Sequence, residues 1–205
     1  MSDTPEIIAL VGSYRKGGMN DQIVDAILAG ARERGARIRK IYLSDREISF
    51  CSNCRSCTQR EGRERGICVI DDGMEKLLQE AEHANGLILA SPVNAGTVTA
   101  VMKRFIERLI GYTWWPWGAA APKVRRAERT RHAVLVVTSA APSIMARLGG
   151  SAKALAELKG AARLLGAAVS GVLWVGLAAR SEHQQISRRA VQKAHRLGAD
   201  LVGHS

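Results

Sequence analysis

The sequence predicts a single α/β domain, a doubly wound sheet of five parallel strands with helices on both faces. Three observations support this. Apolar runs recur at residues 6–11, 36–43, 86–90, 132–138 and 168–177. Each is followed by a segment of helical period, at about 21–34, 72–84, 97–110, 151–165 and 184–202, the alternation of a parallel sheet covered by helices. The first run passes through a glycine-rich turn straight into the first helix, and no Gly-, Ser- or Pro-rich linker or internal repeat divides the 205 residues.

The first strand, Ile7-Ile8-Ala9-Leu10-Val11, has the unbroken apolar character of a strand buried on both faces. Gly12 lets the chain leave it sharply, and Gly17 and Gly18 allow close approach to the backbone. Asn20 or Asp21 is placed to cap the helix that follows. A helix N-terminus preceded by the Ser13 hydroxyl and the Arg15 guanidinium suits an anion, with phosphate the natural candidate. The turn is neither Gly-x-x-x-x-Gly-Lys-Ser/Thr nor Gly-x-Gly-x-x-Gly. A glycine-rich turn without a ligand is the plainer alternative. Gly35 and Gly166 are stop signals for the first and fourth helices.

Ligands of such sheets sit beyond the carboxyl ends of the strands. The loop after the third strand, Ala90-Ser91-Pro92-Val93-Asn94-Ala95-Gly96-Thr97, offers a stiff proline, small polar groups and open amides against which a flat polar ring can lie. The same residues also make ordinary turns. Two connections exceed ordinary length and are therefore functional candidates. Residues 44–71 hold all four cysteines, and residues 111–130 run from Gly111-Tyr112-Thr113-Trp114-Trp115-Pro116-Trp117 into a basic stretch.

The formal charge is +11, but it is dispersed, and only residues 123–131 are dense in arginine and lysine. No aromatic residue interleaves with that run, as a nucleic-acid platform requires, so a solvated loop that attracts phosphorylated cofactors is expected, with no nucleic-acid partner. The polar opening and the lack of a ~20-residue apolar run predict a cytoplasmic protein with no membrane partner. His83, His132, His183, His195 and His204 show no metal-ligand spacing, and no Gly-x-Ser-x-Gly elbow is present. No side chain is assigned a catalytic role; Glu107 is expected to pair with Lys103 or Arg104 on one helix.

Cys51, Cys54 and Cys57 follow the spacing C-x-x-C-x-x-C, with Cys68 beyond. Three thiolates at such short steps can face one hollow, which suits a cubane in which each iron takes one cysteine sulfur. Four thiolates also hold tetrahedral zinc, although structural zinc sites usually present two separated pairs. Unmetallated cysteines, structural or redox-active, are the third option. Arg55, Arg60, Arg63 and Arg65 are placed to offset thiolate charge.

Taken in order, Gly12-Ser13-Tyr14-Arg15-Lys16-Gly17-Gly18, Ile48-Ser49-Phe50-Cys51-Ser52-Asn53-Cys54-Arg55-Ser56-Cys57, Cys68-Val69-Ile70-Asp71-Asp72 and the stretch from Ser91 through Arg108 resemble the flavodoxin-like NAD(P)H-dependent FMN reductases, and within them the iron-sulfur flavoproteins. The resemblance implies FMN with its phosphate near Ser13, Arg15, Gly18, Met19 and Asn20. It places the ring on Ser91, Pro92, Val93, Asn94, Ala95 and Gly96, with backbone amides of residues 94–96 stabilising the reduced form.

NAD(P)H is implied as co-substrate and a [4Fe-4S] cluster on Cys51, Cys54, Cys57 and Cys68. The acceptor would be a quinone-like molecule, a flavin or a redox protein, and the assembly a homodimer or homotetramer. Met19 replaces a small polar residue common in relatives. Asn94 replaces a tyrosine that covers the ring in many of them, which makes Trp114, Trp115 or Trp117 candidates for that cover, from this chain or a neighbouring subunit. Packing at a subunit interface is their alternative role. A non-enzymatic electron carrier and a zinc-bearing, flavin-free regulatory domain are the rival functions.

Overall fold

A computed structural model describes residues 4–142 and 150–203; the opening residues 1–3 and His204 lie outside the described residues. Strand β1 (Glu6–Val11) is buried along its whole length. Because side chains alternate across a strand, it feeds two cores. Ile7, Ala9 and Val11 pack with Ile23, Val24 and Ile27 of helix α1 (Met19–Glu33) and Leu201 of helix α5 (Arg188–Gly203). Ile8 and Leu10 pack with Leu77 of α2 (Met74–His83), Phe105 of α3 (Ala100–Arg108) and Leu158 of α4 (Gly150–Leu164).

The parallel strands lie in the order β2 (Arg37–Tyr42), β1, β3 (Gly86–Asn94), β7 (Arg131–Thr138), β8 (Ala167–Val175). This is the predicted five-stranded, doubly wound sheet, and its order reverses between β1 and β3. The short β4 (Thr97–Val98) adds to β3 antiparallel, and β5 (Thr113–Trp114) pairs with β6 (Lys123–Val124) in a separate hairpin.

Three boundaries differ from expectation, each through turn chemistry. Residues 97–98 are strand rather than helix, because Ala95 and Gly96 adopt φ of 46° and 82° and fold Asn94 and Thr97 into a hairpin. The helix after it begins only at Ala100, with Thr99 as its cap, accepting from the Met102 amide. The last helix begins at Arg188 instead of 184, where the Ser187 hydroxyl accepts from the Ala190 amide. Gly35 and Gly166 do sit in left-handed turns after α1 and α4.

Helices α1 and α5 touch backbone to backbone. A Cβ on Gly30 would stand 1.9 Å from the His195 carbonyl oxygen, and one on Gly198 would stand 1.8 Å from that of Ile27. Neither obstacle is a flexible side chain, so the helices must separate to admit it. Gly198→Ala is therefore expected to lower stability by about 1–3 kcal/mol or more, read by urea denaturation. An unchanged midpoint would contradict this packing.

Candidate functional site

A cleft of about 250 Å³ opens at the carboxyl ends of β1, β3 and β7, where the strand order reverses. One wall comes from Ser13, Tyr14, Arg15, Gly18, Met19 and Asn20, and the other from Pro92, Val93 and Asn94. The two loops named from sequence thus share one cavity. Of the predicted contact residues, Ser91, Ala95 and Gly96 do not line it. Ser91 is buried and its hydroxyl accepts from the Thr99 amide, while Ala95 and Gly96 form the hairpin turn.

Sequence reasoning passed over Thr138, Ser139, Ala140, Ala178 and Ala179, which also line the cleft. The strand-end rule itself pointed to Thr138 and Ser139, since they close the fourth apolar run. Ala178 was not readable, because it arrives only through tertiary bonds: its amide donates to the Ser139 carbonyl.

The first turn of α1 faces this cleft without a side-chain cap. Its N-cap is Gly18, not Asn20 or Asp21. Asp21 instead turns back, and its carboxylate accepts from the Gly17 amide at 2.6 Å, from Lys40 and from Tyr42. Burial works against its ionisation, but those three donors outweigh it and hold the carboxyl below its usual range. The acidic charge is thus matched before a ligand arrives.

Ser13 is buried and its hydroxyl accepts from the Arg15 amide, setting the loop. The Arg15 guanidinium donates to the Glu182 carbonyl, tying the loop to the chain after β8. Asn20 is also buried; its amide nitrogen donates to Thr138, while its Oδ1 has no partner among the described residues. Uncapped helix amides, an unmatched guanidinium and an orphaned amide oxygen are the donors and acceptor that a phosphate with a hydroxylated tail would occupy. Pro92, Val93 and the half-exposed Tyr14 supply the flat, less polar part of the wall. Residues of this kind fit FMN.

The tryptophans do not line this cleft. Trp115 and Trp117 stack on Arg55 with centroid distances of 3.7 and 4.2 Å, which fastens their loop to the cysteine segment of the same chain. Tyr14 is the aromatic residue of the cleft. The basic run is mostly exposed, as expected of a solvated loop, but Arg125 within it turns inward. Arg125 donates to the carbonyls of Gly111, Thr113, Gly62, Cys57 and Arg60, strapping the cysteine segment down.

Around the cysteines, the Cys57 thiol is pushed up by burial and then by the charges of Cys68, Cys51 and Cys54, so the other three lie within electrostatic reach of it. Among the described residues, no three Cys, His, Asp or Glu groups are close enough to hold a single metal ion. A tetrahedral zinc with Zn–S of about 2.3 Å needs its sulfurs about 3.8 Å apart. A cubane spreads its thiolates further, one per iron. Four free thiols on one segment are a donor set that a cluster or a zinc ion can take.

Of the arginines expected beside the thiols, Arg65 lines a cavity with Cys57 and Cys68 and Arg60 lines one with Cys57. Arg65 forks onto Glu75 and Glu82, and Arg63 pairs with Glu128. Arg108, which was not expected there, shares with Arg65 a small cavity lined by Cys57 and Cys68. Lys103 pairs with Glu157 of α4, not with Glu107.

Arg108 ties α3 to the two ends of the cysteine segment. It projects from α3, donates to the Ser49 carbonyl, and grips both oxygens of Asp72 at 2.7 and 3.2 Å with only 2% of its side chain exposed. Phe50, Ile67 and Val69 stand exposed around the cysteines.

These features are those of a flavodoxin-like α/β protein, the class that binds ligands at a switch point beyond the strand ends. The chain belongs to the NADPH-dependent FMN reductase family, which it matches over residues 5–181. An iron-sulfur flavoprotein of Archaeoglobus fulgidus is 35% identical over 105 residues, covering 51% of this chain and 46% of that protein. An iron-sulfur flavoprotein of Methanosarcina thermophila is 33% identical over 105 residues, covering 51% and 52%. The chain thus spans about half the length of the curated relatives it matches.

Among solved structures, an NAD(P)H:quinone oxidoreductase from Methanothermobacter marburgensis superposes with a TM-score of 0.69 at 16% identity, over 97% of this chain and 98% of that one. An FMN-dependent NADH-azoreductase from Bacillus anthracis, solved with FMN, gives 0.70 at 12% identity, over 97% and 100%. At these identities the likeness is one of fold. Among the described residues, no helix is long and apolar enough to cross a membrane.

Burial opposes ionisation of Asp72, but Arg108 and the Ser49 and Met74 amides outweigh it and hold its pKa to about 2. Its folded value lies below the unfolded ~3.9, so the pair's stabilisation is complete above about pH 4 and is lost as pH falls towards 2. Arg108→Met, which strands Asp72, is expected to cost about 3–5 kcal/mol at pH 7 and to flatten the acid limb of stability between about pH 4 and 2. Urea denaturation across that pH range checks both. A loss under about 1 kcal/mol would mean the ion pair is dispensable.

Proposed function

We propose that the chain is an FMN-dependent NAD(P)H oxidoreductase with an iron-sulfur cluster on Cys51, Cys54, Cys57 and Cys68. The observation that carries this is the single cleft shared by residues 13–20 and 92–94. FMN bound there would accept a hydride and release electrons singly or in pairs, which is chemistry the cofactor brings with it.

The protein's own contribution is placement. The first-turn amides of α1, Ser13, Arg15 and Asn20 hold the phosphate and tail. Pro92, Val93 and Asn94 support the ring, and Asn94 leaves its outer face open where a tyrosine would close it. Domain limits at 1–205, a quinone-like, flavin or redox-protein acceptor, and assembly as a homodimer or homotetramer belong to the same proposal.

A non-enzymatic carrier is the second option, favoured by the exposed Phe50, Ile67, Val69 and Trp117 around the cysteines, where a redox protein can dock. Anaerobic purification followed by flavin, iron, sulfide and zinc assays and by NADH and NADPH oxidation with a quinone acceptor separates these. The proposal expects bound flavin, about four iron and four sulfide per chain, and turnover. Flavin and iron without turnover supports the carrier, and a colourless protein with stoichiometric zinc overturns both.

A further inference from the structure

A second cavity, of about 370 Å³, opens at the opposite rim of the sheet, where β7 and β8 begin with Arg131 and Ala167. It is lined by Arg63, Arg65, Arg125, Arg126 and Arg131 against Glu64, Glu82 and Glu128. Each carboxylate is already engaged. Glu82 accepts from Arg65 and Tyr112, Glu64 from Arg126, and Glu128 from Arg63.

Arg125 and Arg131 are left with carbonyl oxygens only. Arg125 has the five strap carbonyls, and Arg131 donates through Nη1 to Ala81, Glu82 and Ala84 at the end of α2. Nε and Nη2 of Arg131 make no hydrogen bond among the described residues, nor does Nη1 of Arg126. The cavity therefore gathers five guanidinium groups against three carboxylates in a space walled by Tyr112, Leu164 and Leu165, and neither Arg125 nor Arg131 hydrogen-bonds a carboxylate among the described residues. Burial draws both arginines below their ordinary pKa, outweighing the opposing pull of Cys57 on Arg125 and of Tyr112 and Glu82 on Arg131.

We infer that this cavity binds a compact anion of charge −2 or more, of the phosphate, pyrophosphate or dicarboxylate kind, at a site separate from the cleft. Arg125 is shared between the cavity wall and the Cys57 carbonyl, so an occupant at this rim also bears on the cysteine segment.

Calorimetric titration of the full chain with inorganic pyrophosphate, with succinate, and with chloride at matched ionic strength tests it, each with and without saturating FMN. Saturable one-to-one binding of pyrophosphate or succinate that FMN does not displace is expected, and the stronger of the two identifies the phosphoryl or carboxylate source. Arg126→Ala, an exposed position, and Arg131→Lys, which keeps the charge but loses the fork, should each weaken it by roughly tenfold or more. Binding that matches chloride, is displaced by FMN, or is unchanged in both folded variants overturns the proposal.

Discussion

One buried threonine holds the two cleft loops together. The Thr99 hydroxyl donates to the Gly12 carbonyl at 2.6 Å, its amide donates to the Ser91 hydroxyl, and its side chain caps α3. Beside it the Gly12 amide donates to the Ala90 carbonyl, extending the β1 and β3 pairing one step past the strand. There is no room at this junction: a Cβ on Gly12 would stand 2.7 Å from that of Met102. The glycine-rich turn and the Pro92 shelf therefore keep a fixed separation, and a ligand meets walls already in place.

Arginine supplies most of the remaining fixation. The long segments that carry the cysteines and tryptophans have little strand or helix of their own, and their carbonyls need donors. Arg125, Arg55 and Arg108 provide them, each fork spanning several carbonyls or a carboxylate. Part of the charge that suggests an anionic macromolecule is thus turned inward. The rest is dispersed, with exposed Arg32 and Arg34 on and after α1, Lys153 and Lys159 on α4, and Arg188 and Arg189 on α5.

The sheet was legible because the central strands, buried on both faces, leave apolar runs and the edge strands β2 and β8 still carry spaced apolar residues, and all five runs became strands. The starts of α3 and α5 were not, since both depend on a single hydroxyl cap and, at residues 94–97, on an Ala95-Gly96 hairpin turn that resembles a helix entry. The two cleft loops were legible through the strand-end rule. Ser91, Ala95 and Gly96 lie in the right loop but serve its shape rather than its surface. The link between the tryptophan loop and the cysteine segment was not legible, because its partner, Arg55, lies some sixty residues away, as its bond to the Trp115 carbonyl records. No local pattern announces such a pair.

The central claim is that residues 13–20 grip a phosphate while residues 92–94 support a ring. Comparing the affinities of FMN and riboflavin by flavin fluorescence quenching tests it directly. A phosphate held by charge-assisted bonds should make FMN bind roughly a hundredfold more tightly than riboflavin, and a Ser13→Ala, Arg15→Ala double variant should erase most of that gap while sparing riboflavin. Equal affinities for the two flavins in the unaltered protein would contradict the account.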